Sequence, residues 1–374
     1  MKLFIEPNDI LMFRDGKPFS GGDDHFAQGT FPPSPSTVYG ALRSHILSTA
    51  WPEYDKFAAG HDSVPEQVKN EIGTPASIGA LTIRQFAIAK KEGDGIEQYF
   101  PMPKDIAKEK GKDNGNLYML KPENILQSKI MTDFPSDLQH LWYPSEKALE
   151  SVAGFLSQTA MSEYLSGKTP DKWTENKKLY ETEKRTGICK SRTKRSVETG
   201  GLYSVEYFRL NDNTGFTVEV EGTQLLPPKS GLLRLGGDNR TAFYSKAIWN
   251  DIPVETIKKR ISETGRFKAV LTTPAIFTNG WIPSGIDNKT MTGFLNSIEI
   301  KLITACIGKP IGIGGFDLVK GRPKDMKKAI PAGSVYYLEL KSGSVDELFK
   351  GIWLKSISDE KAKEGFGITL IGGY

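Results

Sequence analysis

The sequence predicts an α+β protein of two ferredoxin-like modules, and the order of its elements at the two ends of the chain leads there. From about residue 267 onward the order is strand, irregular segment, strand, strand, helix, strand. This is the βαββαβ pattern with its first helix replaced by a loop at 278–297. The N-terminal half begins strand, helix, strand and reads the same way, with a long insertion in its middle. The modules are placed at 1–250, with the insertion at about 90–200, and at 251–374.

Each element has its own signal. Residues 2–6 (KLFIE) read as a short strand, followed by a turn-rich segment from Asp15 to Pro35. Ser34 is a good N-cap, Pro35 suits a first helical position, and Val38, Leu42, Ile46 and Thr49 share one face, so a helix is expected over about 35–50. Residues 79–88 read as a strand. Residues 90–200 carry charged runs (KKEGDG, KDIAKEKGKDNGN) with helical pieces at 145–165. Strands resume at 202–210 and 216–221, and a glycine-rich turn, LGGDNR, lies at 235–240. In the last third, 267–277, 298–306 and 334–341 read as strands. Ser344 and Glu347 form a capping box that opens a short helix, and GFGITLIGGY is a final strand between glycines.

Composition is that of a folded globular chain: 374 residues, 38% hydrophobic and 25% charged. The net charge of +4, from 49 basic and 45 acidic side chains, is too small to indicate a nucleic-acid partner, so the distribution of charge decides. Cys189 and Cys306 are isolated, which argues against a zinc site or a disulfide framework and suits a reducing compartment. Glu6 and Asp9 interrupt any signal-peptide core, and the longest uncharged stretch, 269–286, contains Pro274, Pro283, Gly280 and Gly285. A cytoplasmic protein with no membrane contact is expected.

Four constellations bear on chemistry. The segment 184–195, KRTGICKSRTKR, has six Lys or Arg in twelve residues and no acid, and is read as a basic loop able to neutralise phosphates. Glycine-rich turns at 236–240, 312–315 and 365–367 let a phosphodiester approach backbone N–H groups, although each alone is an ordinary turn. Asp23-Asp24-His25 has no second histidine at ligand spacing, so a structured turn or RNA contact outweighs a metal or acid–base site. The stretch Lys320–Lys328 adds a second basic connection. Walker A, Rossmann, HExxH and nucleophile-elbow motifs are missing, and no nucleophile, base and orienter come together. No cofactor and no metal are expected.

Residues 13–44, FRDGKPFSGGDDHFAQGTFPPSPSTVYGALRS, resemble the start of one RAMP family, the third subunit of the Cmr complex (the type III-B CRISPR effector). RTGICKSRTKRSVETGGLYSVEYFRL (185–210), LGGDNRTA (235–242), the block 308–339 and GFGITLIGG (365–373) are similar to later blocks of that family, in the same order. Phe316 stands where a GGWD-like turn has Trp. The resemblance implies two ferredoxin-like (RRM-like) RAMP modules and binding of the repeat-derived 5′ tag of the guide RNA (crRNA). It also implies docking beside the large polymerase-like Cmr subunit and beside a backbone RAMP subunit, without RNA cleavage by this chain. Candidate RNA contacts are Arg185, Lys190, Arg192, Lys194 and Arg195 on the basic segment, Asn239 and Arg240 in the glycine turn, and Gly365 and Gly367. Ser34, Ser36 and Thr37 at the helix N-terminus, Arg43 two turns in, and His25 and Gln28 complete the set. Two competing readings are a metal-independent RAMP endoribonuclease using His25 or His45, and an adaptor that touches only protein.

Overall fold

A computed structural model describes residues 1–14, 26–93, 95–112, 115–123, 138–190, 197–227, 229–317 and 321–374. The chain divides into two compact units, one of residues 1–83, 177–248 and 312–328, the other of 84–176, 249–311 and 329–374. The sequence reading made about 90–200 an insertion in the first module; in the fold, 84–176 groups with the C-terminal segments. It is a mixed α and β structure in which strands predominate.

In the first unit the strand Lys2–Pro7 lies between Thr214–Glu221 and Thr241–Lys246, with Ser230–Arg234 outside the latter, all antiparallel. Leu3, Phe4 and Ile5 are all buried, as expected of a central strand covered on both faces. The helix Pro35–Ala50 forms as predicted, with Pro35 in its first turn, and buries Val38, Leu42 and Ile46. Thr49 is exposed, and Tyr39, Ala41 and Leu47 complete the buried stripe instead. The helix stops at Trp51, whose extended backbone is what a residue before proline (Pro52) favours. Ser34 occupies the N-cap position, but its Oγ makes no cap bond. The Thr37 N–H bonds the Ser34 carbonyl instead (2.8 Å).

A second sheet of this unit is a long hairpin. Tyr180–Lys190 pairs antiparallel with Val197–Leu210, and the two-residue strand Phe26–Ala27 adds in parallel at Ser204 and Val205. The sequence made 184–195 a loop; residues 184–190 are strand, because Thr186 and Ile188 alternate in register with Ser204 and Leu202.

In the second unit, one antiparallel sheet runs in the order Thr292–Leu295, Ile298–Cys306, Val335–Leu340, Arg266–Leu271, Ile368–Gly373, Lys355–Ser356. Helices Glu255–Thr264 and Val345–Ile352 lay Ile257, Ile261, Leu348, Phe349 and Ile352 into its core. The capping box closes as predicted: Glu347 N–H donates to Ser344 Oγ (3.2 Å) and Ser344 N–H to Glu347 Oε2 (2.7 Å). No helix occurs over 272–297. The strand predicted at 267–277 ends at Leu271, since Pro274 brings no N–H to a ladder. The helical character read over 145–165 is confined to Gln158–Leu165. Gly154, at φ 132°, and the short strands Leu149–Ser151 and Phe155–Ser157 take the rest. No helix among the described residues is long and apolar enough to cross a membrane.

Candidate nucleic-acid interface

The hairpin has two unlike faces. One carries Arg185, Tyr203, Val205 and Tyr207, and it is anchored: Val205, Tyr207, Ala27 and Ile10 form a small buried cluster, with Met12 and Tyr203 against it. Leu11 and Phe208 exchange backbone hydrogen bonds at 2.8 Å, which fastens the hairpin base to the N-terminal segment. Gly29 sits against Phe208 so closely that a Cβ there would meet the ring at 2.6 Å.

The LGGDNR turn closes over the same segment. Gly236 adopts φ 83°, and an added Cβ would lie 2.4 Å from the Met12 carbonyl oxygen, so only glycine fits. Gly237 N–H donates to that carbonyl (2.8 Å), and Leu235 N–H to the Arg240 carbonyl (2.8 Å). Asp238 and Asn239 take positive φ, 57° and 52°, the region short polar side chains tolerate best.

Hairpin and turn meet in a charge network. The guanidinium carbons of Arg185 and Arg240 stand 5.5 and 5.1 Å from the Tyr207 ring centroid. Glu183 pairs with Arg185 (2.6 Å) and Arg209 (2.9 Å), Asp9 with Arg209 (3.3 Å) and Arg240 (3.4 Å), and Asp238 with Arg240 (3.1 Å). The Tyr207 hydroxyl donates to Asp238 at 3.2 Å. The Ile10 N–H first, then the two arginines, hold Asp9 below the usual carboxylate range, and Arg185 and Arg209 do the same to Glu183. Three arginines and three carboxylates thus largely neutralise one another. A phosphate reaching Arg185 or Arg240 has to displace a carboxylate already in place.

The other predicted residues are scattered. Arg43, read as a phosphate contact, spends its guanidinium inside the fold: Nε donates to the Ile72 carbonyl (2.7 Å) and Nη2 to the Thr74 carbonyl (2.9 Å). It holds the end of the Glu66–Ile72 helix against the Pro35–Ala50 helix. Ser34, Ser36 and Thr37 are half-buried at that helix start. The Ser34 Oγ is buried without a hydrogen-bond partner among the described residues. Gln28 and Asn239 are exposed. His25, Arg192, Lys194 and Arg195, with Asp23 and Asp24, lie outside the described residues, as does the side chain of Lys190. Gly365 and Gly367 belong to the other unit and are buried. Their N–H groups donate to the Ala362 (3.1 Å) and Pro274 (2.7 Å) carbonyls, which leaves neither for a phosphate.

His45, the nuclease candidate within the described residues, is half-buried with Nε2 3.2 Å from the Tyr244 hydroxyl, which itself donates to the Pro227 carbonyl (3.2 Å). Burial holds its pKa below the ordinary imidazole value. No cluster of three His, Cys, Asp or Glu suited to a metal occurs among the described residues. Cys306 donates to the Lys104 carbonyl (3.1 Å), and burial pushes its thiol up to about 12.

Sequence reasoning missed the hairpin's open face, where Phe26, Ile188 and Leu202 are exposed beside Lys184 and Thr186. The signal was present: residues 184, 186 and 188 share one face of a strand, and a loop reading discards that parity.

Residues 3–373 match the family model of the CRISPR-associated protein Cas_Cmr3. No curated protein matches the chain. Among solved structures, a chain of the cryo-EM structure of the type III-B Cmr-beta bound to cognate target RNA aligns with a TM-score of 0.51 at 17% identity. The alignment covers 90% of this chain and 86% of that one. A chain of the same kind of assembly, bound to cognate target RNA and AMPPnP, gives a TM-score of 0.50 at 16% identity with the same coverage. At such identities these two similarities speak for the fold, while the family follows from the match along nearly the whole sequence: the chain belongs to the CRISPR-associated Cas_Cmr3 family.

Proposed function

We propose that this chain is a non-catalytic guide-RNA-binding subunit of a cytoplasmic type III-B Cmr ribonucleoprotein. In this reading it holds the repeat-derived 5′ tag of the crRNA and bridges the large polymerase-like subunit to the backbone RAMP subunits. The observation that carries the reading is the basic stretch 184–195, with six Lys or Arg and no acid in the sequence, whose first part, 184–190, lies on a strand pair anchored at its base by buried apolar contacts. A cationic stretch next to an anchored strand pair suits a phosphate chain, whose counterions it releases on binding. Family membership and the RNA-bound state of the two structural relatives agree with it.

The two-module reading, ferredoxin-like units at 1–250 and 251–374, belongs to the same proposal. The central strands of the second unit give it support. Numbered along the chain as Arg266–Leu271, Ile298–Cys306, Val335–Leu340 and Ile368–Gly373, they lie in the order 2-3-1-4, all antiparallel, which is the ferredoxin-like order.

Reversing the charge of Lys190, Arg192, Lys194 and Arg195 together tests the proposal. Guide-RNA affinity is expected to fall, and the slope of log K against log salt to flatten in proportion to the phosphates these cations no longer neutralise. Unchanged affinity and slope would remove the basic hairpin from the interface. Incubation of the purified protein with repeat RNA tests the nuclease reading, and site-specific cleavage abolished by His25→Ala or His45→Ala would establish it.

A further inference from the structure

We propose that the open face of the three-stranded hairpin sheet is a stacking platform for unpaired RNA bases, with Phe26 as its aromatic step and the Ile188–Leu202 pair as its second. The inference rests on the RNA-binding reading and deepens it, from phosphate contact to contact with the base faces.

The face is set by register. Ile188 opposes Leu202, Thr186 opposes Ser204 and Lys184 opposes Glu206, so these side chains point to one side. Phe26 joins in parallel beside Ser204, and Gln28 follows two residues on. The opposite side is the anchored one, with Val205, Tyr207 and Ala27 buried. On the open side, Phe26 is 39%, Ile188 45% and Leu202 57% exposed. Three large apolar side chains at adjacent positions of one sheet face are costly to leave in water, and such patches mark a surface with an occupant.

Charge and chemistry select RNA as that occupant. Lys184 Nζ lies over the Phe26 ring, 5.0 Å from its centroid, so a base that stacks there moves this flexible cation to the ring's edge, within reach of the nucleotide's phosphate. The Thr186 and Ser204 hydroxyls lie 3.4 Å apart in the same row as Phe26, and Gln28 is exposed at the rim, so hydrogen-bonding groups flank the ring. Among the described residues the one carboxylate on the face, Glu206, accepts the Gly29 N–H (2.9 Å). In sequence, the strand Tyr180–Lys190 is followed by Arg192, Lys194 and Arg195, all cationic. An apolar protein partner needs no such cations, whereas single-stranded RNA needs both a π-surface and positive charge.

Salt dependence separates stacking from phosphate contact, because only the latter releases counterions. The experiment measures labelled guide RNA binding to the full chain over a range of salt, for wild type, Phe26→Ala, Phe26→Tyr, Ile188→Ser/Leu202→Ser and the charge-reversed 190–195 variant. Phe26→Ala is expected to weaken binding by about fivefold or more with an unchanged salt slope. Phe26→Tyr, which keeps the ring, is expected to bind like wild type, and Ile188→Ser/Leu202→Ser to lose affinity at constant slope. Wild-type binding by Phe26→Ala, with loss in the charge-reversed variant, overturns the platform and leaves the RNA reading standing. Wild-type binding by both overturns both. A Phe26→Ala loss that comes with a flatter slope assigns the effect to a displaced Lys184 and also overturns the platform.

Discussion

Replacing Lys268 with methionine is expected to abolish a pH dependence built into the second unit. Lys268 is fully buried, with Nζ 3.2 Å from the Tyr164 ring centroid and 3.4 Å from Met119 Sδ. Asp105, also fully buried, accepts the Tyr164 hydroxyl (2.8 and 2.7 Å) and the Tyr337 hydroxyl (2.5 Å). Burial, opposed by attraction to Asp105 and reinforced by repulsion from Arg260 and Lys121, pulls the Lys268 pKa down to about 7. The unfolded value is 10.5, so between pH 7 and 10.5 the folded chain binds fewer protons than the unfolded one and stability rises with pH. Keeping this amine buried at pH 7 costs about 4 kcal/mol, and raising the pH to 9 returns about 2 kcal/mol of that. Burial and Asp105 hold the pKa values of Tyr164 and Tyr337 well above 10, so above pH 10 the unfolded chain loses protons that the folded one keeps, and stability falls again. Urea unfolding at pH 7, 8 and 9 measures the slope. Wild type is expected to gain about 2 kcal/mol over that range, while Lys268→Met, close to isosteric, is expected to lose the gain and to be the more stable protein at pH 7. Equal pH slopes in the two proteins would contradict this, since they would mean that Lys268 stays charged up to pH 9 despite its burial.

Arg43→Met removes two hydrogen bonds to the Ile72 and Thr74 carbonyls and is expected to cost about 1–3 kcal/mol in thermal or urea unfolding while leaving the salt slope of RNA binding unchanged. A flatter slope with unchanged stability would return Arg43 to the RNA interface. Gly367→Ala places a Cβ 2.6 Å from the Ser358 nitrogen at φ 66°, so a loss of at least about 1 kcal/mol is expected, visible as a lower unfolding midpoint. Ser344→Ala opens the capping box of the Val345–Ile352 helix and is expected to cost about 1 kcal/mol by the same measurement.

Periodicity and caps made much of the fold legible. Helix 35–50 and the 298–306 strand lie where the alternation and Pro35 put them, and the Ser344–Glu347 box closes as written. What sequence could not supply was pairing. Residues 184–190 read as loop because six cations in twelve residues mask a period-two pattern, and the strand becomes visible only once Val197–Leu210 lies beside it. The same holds for the site. Arg43 and Arg185 are alike in sequence as exposed cations near a helix start and in a basic run, yet one ties down a helix end and the other is held by Glu183 and Tyr207. Those partners are 29 residues away in the first case, and 2 and 22 in the second, so only the closest was within reach of local reasoning. Phe26 was missed although His25 and Gln28 on either side were chosen, because polar residues were sought and an exposed ring is recognised only from its neighbours.

Whether this chain holds the 5′ tag is read from the binding of labelled guide RNA, with and without its repeat-derived tag, to the protein together with the large polymerase-like subunit. Tighter binding of the tagged RNA is expected, with a gain that weakens as salt is raised. Equal binding of the two RNAs would contradict it and place tag recognition in another subunit.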